Sequence, residues 1–169
     1  MNHQLRNIFF QLLRIGLWGR GQLSEEPITA EDWNIIRKYA INNTVEGIIY
    51  DSFPFLEEDQ LPPQAVRLKW AVRMDQIERH NEKMNQVIAE QFVLFSDNGI
   101  QPILQKGQGV ASYYRIPNHR ISGDIDWCFE GDGCKKARNF SKNNYILLAL
   151  HAYLKSLAMK SLFMAILLF

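Results

Sequence analysis

A chain of 169 residues is about one domain long, and 47% hydrophobic with 22% charged residues is the balance of a folded globular protein. The formal net charge of +1 excludes a broad field for polyanions, so there is no strong nucleic-acid signal and any such contact has to be local. Two cysteines, Cys128 and Cys134, are too few for a disulfide framework, which favours a reducing, cytoplasmic setting.

The N-terminus has no uninterrupted apolar core followed by a small-residue cleavage site, so it does not read as a signal peptide. Leu5, Ile8, Phe9, Leu12, Leu13 and Trp18 recur at helical spacing and predict an amphipathic first helix docked on a core, with a membrane-surface helix as the alternative. Thr29 precedes Glu31, Asp32 and the apolar positions Trp33, Ile36 and Tyr39, which predicts a capped helix ending at Asn42 and Asn43. Thr44 is expected to cap a further short helix carrying Val45, Ile48 and Ile49. The acidic, proline-bearing stretch PFLEEDQLPP then reads as a loop. From Pro63 to Asn98, apolar residues from Val66 through Trp70, Met74, Ile77, Met84, Val87, Ile88 and Phe92 to Phe95 step by threes and fours. They predict one long helix, with Asn98-Gly99 as its left-handed stop. His80 within it reads as a polar boundary residue, without a catalytic role.

After Gly99 the pattern changes. Ile100, Ile103 and Leu104 predict a strand, Lys106-Gly107-Gln108-Gly109 a turn, VASYYR a short helical segment, IPNHRISG a polar loop, and DIDWCF a second strand. Asp124 and Asp126 flank Ile125, and the period of two in a strand puts both carboxylates on one face. Two carboxylates so close repel unless a cation bridges them, and hard oxygen donors suit Mg²⁺ or Mn²⁺. Gly123 leaves room for close approach of a ligand, and the ammonium of Lys106 with the amides of the glycine turn could hold phosphates that the metal bridges. Asp-x-Asp alone also occurs as solvated loop acids. A lysine-glycine turn after the preceding strand is the context that raises it above that reading.

The run ILQKGQGVASYYRIPNHRISGDIDWCF resembles the signature of the uncharacterised nucleotidyltransferase-like family in the DNA polymerase β-type superfamily. That family carries a Leu-Lys-Gly, a Tyr, an Arg and then Gly-Asp-Ile-Asp. The resemblance implies an α+β fold: a helical region, then a partial nucleotidyltransferase-fold sheet with flanking helices. The residue pattern itself divides the chain into a helical region at 1–99, the core at 100–140, and an apolar helical tail at 141–169. The resemblance also implies that Asp124 and Asp126 are the catalytic metal ligands, that Lys106, Gly107 and Gly123 face the nucleotide phosphates, and that Arg120 contacts a phosphate or acidic group. For Arg120 a salt bridge to Asp124 or Asp126 is the alternative. Gln108 stands where the superfamily usually has Ser or Gly.

The resemblance further implies a third carboxylate on a later strand, yet the last acid in the sequence is Asp132, next to the motif. From Tyr145 to Phe169, 20 of 25 residues are apolar, interrupted by His151, Lys155, Ser156, Lys160 and Ser161. A spanning segment seldom carries such charges, so no clear membrane segment is expected and the tail reads as a buried or self-associating helix. It does not resemble the family's continuation, which suggests a truncated or frame-shifted product. The expected function is metal-dependent transfer of a nucleoside monophosphate from an NTP to an unknown acceptor. The rival is a non-catalytic protein-binding module that keeps the fold.

Overall fold

The computed structural model describes residues 2–23 and 27–143. The expected apolar tail helix therefore lies outside the described residues except for 141–143, which are helical. The fold is α+β, as the sequence implies. The chain divides into two compact units, Met1–His80 with Ala111–Ile121, and Asn81–Val110 with Ser122–Phe169.

In the first unit, helix α1 (His3–Trp18) starts where the Asn2 side chain accepts the Leu5 amide at 2.8 Å. It stops at Gly19, whose φ of 60° is left-handed and whose amide returns to the Ile15 carbonyl at 2.8 Å. Leu5, Ile8, Phe9 and Leu12 are buried as their spacing predicts. Trp18 is not part of that face: it stands 60% exposed on the last turn. Helix α2 (Ala30–Asn42) is capped by Thr29, whose Oγ1 accepts the Asp32 amide at 3.1 Å. Thr44 does not cap α3 (Glu46–Tyr50). Its own backbone is left-handed, its hydroxyl donates to the Asn43 carbonyl at 2.7 Å, and α3 begins after Val45 without a side-chain cap. Close approach of α1 and α3 explains Gly16, where a Cβ would lie 1.8 Å from the Ile48 carbonyl oxygen.

Trp33, Phe53 and Trp70 meet edge to face, with ring centroids 5.2–6.0 Å apart. Their buried indole N–H groups are satisfied, Trp33 by the Gln60 carbonyl at 3.2 Å and Trp70 by the Glu46 carbonyl at 3.0 Å.

Helix α4 (Gln64–Asp97) contributes to both units. Its buried positions Trp70, Met74, Ile77, Asn81, Met84, Val87, Gln91 and Phe95 follow one another by three or four, as a helix with one buried stripe requires. Phe92, predicted to join that stripe, is instead 47% exposed, because it sits one residue past Gln91 and so faces about 100° away. The helix stops at Gly99, with φ +69°.

In the second unit, β1 (Pro102–Leu104) and β2 (Trp127–Phe129) pair antiparallel, Ile103 opposite Cys128. Between them lies α5 (Gly107–Ala111), and α6 (Gly133–Asn143) follows β2. VASYYR is therefore mostly turn: the helix begins earlier than predicted, at Gly107, and ends at Ala111. Phe95, Ile100 and Ala137 form this unit's small core, with Trp127, Phe129 and Phe140 packed on it.

Candidate functional site

The glycine turn is built by backbone constraint. The ladder of β1 and β2 extends one bond further, from the Gln105 amide to the Asp126 carbonyl at 2.8 Å. The chain then reverses through Lys106 (φ 26°) and Gly107 (φ 49°), both in the left-handed region. A lysine in that region is held there at a cost, a kind of strain that concentrates at functional sites. Gly107 is required twice over. Its φ disfavours any side chain, and a Cβ would lie 2.9 Å from both the Asp124 carbonyl oxygen and Ser122 Oγ.

Asp124 and Asp126 are not inside the second strand. They occupy the extended segment just before it, because ladder pairing begins only at Trp127. Asp124 is exposed and the Asp126 side chain is 44% exposed. Lys106 Nζ lies 3.7 Å from Asp126 Oδ2, a solvent-exposed pair of small energetic weight. Lys106, Gly107, Asp124 and Asp126 are thus brought together around one turn. Gly123 beside them is exposed, and a Cβ there would meet nothing within 4 Å among the described residues.

Arg120 belongs to the first unit, where its guanidinium donates to the Ile121 carbonyl at 3.4 Å. Tyr113 is 89% exposed, and Cys128 and Cys134 are unpaired thiols. Among the described residues no group of three or more His, Cys, Asp or Glu side chains gathers to hold a metal ion. The donor set that is present, two partly solvated carboxylates, still suits Mg²⁺. That ion commonly takes one or two protein carboxylates and fills its octahedron with water and substrate phosphate.

Two polar residues on the buried stripe of α4 tie this region down. Gln108 donates from Nε2 to Asn81 Oδ1 at 2.7 Å and reaches Met84 Sδ at 3.7 Å, while Trp127 Nε1 donates to Gln91 Oε1 at 2.7 Å. Gln108, the departure from the superfamily's Ser or Gly, is therefore a strut between the glycine turn and α4.

Sequence reasoning left His119 inside a polar loop, whereas the structure makes it, in the first unit, a buried ring between the buried Asp51 and the half-exposed Glu78. Its Nδ1 lies 2.5 Å from Asp51 Oδ1 and its Nε2 lies 2.7 Å from Glu78 Oε1. Burial opposes the charged ring, but hydrogen bonds and charge from Asp51, then from Glu78, outweigh it and raise the pKa above the ordinary histidine value. Gly47 admits this turn, since a Cβ there would lie 2.1 Å from the His119 carbonyl oxygen. Partners 68 and 41 residues away leave no local signal in the sequence.

Residues 29–156 match the family described as uncharacterised nucleotidyltransferase. The chain belongs to that family. The match takes in α2 to α6, hence the glycine turn, both aspartates and His119 of this nucleotidyltransferase-family chain. A general nucleotidyltransferase-like function accompanies the membership, and the family points to an NTP as substrate. No curated protein and no solved structure gives a significant match. No described helix of this family member is long and apolar enough to cross a membrane.

Proposed function

We propose that the chain takes part in metal-dependent transfer of a nucleoside monophosphate from an NTP to an acceptor hydroxyl, with pyrophosphate as the leaving group. The observation that carries the reading is the convergence of Lys106, the left-handed Gly107 turn, Asp124 and Asp126. Asp124 and Asp126 would hold Mg²⁺ or Mn²⁺. When bound, such an ion supplies charge stabilisation to the phosphates. Lys106 would act as a point charge for the distal phosphates, with the Gly107 and Gln108 amides as further donors.

Titration calorimetry with Mg²⁺ or Mn²⁺ and each NTP, run beside a pyrophosphate-release assay, tests this reading. Metal-dependent NTP binding with turnover supports it in full. Binding without turnover favours the non-catalytic module, for which the two-carboxylate donor set is the supporting observation. Absence of metal-dependent NTP binding overturns both the phosphate site and the metal assignment.

A further inference from the structure

The first unit contains a cleft of about 690 Å³, a size typical of small-molecule sites. Its walls come from the end of α3, the Phe53–Pro54 bend, the first turns of α4 and the segment that carries Arg115, Ile116 and His119. Most of the lining is apolar: Tyr50, Phe53, Leu68, Ala71 and Ile116 all face it. Leu68 is left 66% exposed there, an apolar side chain that nothing in the described chain covers.

The accessible charge of the lining has one sign. Asp51 is the acid among the lining residues, but its side chain is 5% exposed and its carboxylate is bonded to His119. Both ring nitrogens of His119 are engaged by carboxylates, which rules the ring out as an acid or base for a ligand and leaves it as a fixed post. Arg115 and Arg67 supply the accessible charge. The Arg115 guanidinium is held in place by a 3.0 Å bond to the Asp51 carbonyl and by stacking 5.3 Å from the Phe55 ring centre. One such bond occupies a single member of its five-donor fork. Among the described residues the Arg67 guanidinium has a 3.7 Å contact to Glu58, itself 85% exposed, and such a pair is readily exchanged for a ligand anion.

We infer that this cleft binds a small organic anion, with a flat apolar body seated against Tyr50, Phe53 and Leu68 and its acidic group on the Arg115 guanidinium, Arg67 being a second cation of the lining. The site is separate from the turn at Lys106–Gly107 and does not depend on the nucleotidyl-transfer reading. Carboxylate and phosphate share the required chemistry, since both accept from a guanidinium fork.

The test uses the whole chain and fluorescence of 1-anilinonaphthalene-8-sulfonate, whose sulfonate stands in for the acidic group, against uncharged N-phenyl-1-naphthylamine. The sulfonate probe is expected to bind one to one and about tenfold more tightly than its neutral analogue, the worth of one charge-assisted contact. Arg115→Gln should remove roughly that tenfold while leaving the neutral probe unaffected. Ala71→Trp should block both probes by filling the cleft, with thermal unfolding run on each variant to confirm the fold. Displacement of the probe by benzoate or by phenyl phosphate supports the site, and the stronger competitor names the acidic group. Equal binding of charged and neutral probes, an Arg115→Gln variant that binds the sulfonate like the parent, or displacement by neither competitor overturns the inference.

Discussion

Replacing Gly107 with alanine puts a methyl group where the structure has a carbonyl oxygen and a hydroxyl, each 2.9 Å from the new Cβ. Holding alanine at φ +49° costs about 1–2 kcal/mol, and relieving the two contacts costs about 1–3 kcal/mol more. Alanine loses less backbone entropy than glycine on folding, which returns about 0.4–1 kcal/mol. The sum is a destabilisation of about 1–4.6 kcal/mol, or a fall in the midpoint of thermal unfolding of at least about 4 °C for a unit of this size. Gly123→Ala is the internal control. It has no neighbour within 4 Å, and its expected change in stability is within about 0.5 kcal/mol. Calorimetric unfolding of the parent and both variants, followed by NTP titration, separates folding from binding. A Gly107→Ala protein as stable as the parent would refute the geometry of the turn. Loss of NTP affinity in the stable Gly123→Ala variant would show that the open space there belongs to a ligand.

Asp124→Asn and Asp126→Asn are each expected to weaken Mn²⁺ binding by roughly tenfold or more, while unfolding midpoints stay near the parent's because the Lys106–Asp126 pair is exposed. Parent-like Mn²⁺ titrations of both variants would remove the metal assignment. Lys106→Ala should cost roughly tenfold in triphosphate affinity and much less for the monophosphate, read by calorimetry; equal losses would make Lys106 a structural residue. His119 has a folded-state pKa above its unfolded value, so its stabilising contribution is complete below about pH 6.5 and is lost as pH rises through the raised pKa. Chemical denaturation from about pH 6 to about pH 9 should show that decline in the parent and a flatter profile in His119→Gln. Identical profiles would contradict the Asp51–His119–Glu78 cluster.

Elements fixed by neighbouring residues were legible in the sequence. Thr29 caps α2 because its hydroxyl needs only the amide three residues on, and the stripe of α4 follows from a period that every turn repeats. The two short strands and the turn after the first were also readable, since Gly107 carries a backbone requirement written into one residue, whereas their antiparallel register was not. What escaped depends on distance along the chain. The strand period was applied to Asp124 and Asp126, but a ladder exists only where a partner strand does, and that partner runs from Pro102 to Leu104. Thr44 looked like a cap by composition, yet its left-handed backbone sends the hydroxyl to the Asn43 carbonyl. The His119 cluster and the Gln108–Asn81 strut join residues far apart in sequence, with no periodicity to announce them.

Asn81 and Gln91 give α4 a role beyond burial. They stand about 15 Å apart along the helix axis, one gripping the glycine turn through Gln108 and the other gripping β2 through Trp127. The helix thus acts as a ruler that sets the spacing of two attachment points. Deleting a single residue between them would turn one grip by about 100° and draw it about 1.5 Å along the axis, so that both bonds could not form at once. The length of that helical interval, more than the identity of the side chains on its solvent face, is what this unit can least afford to change.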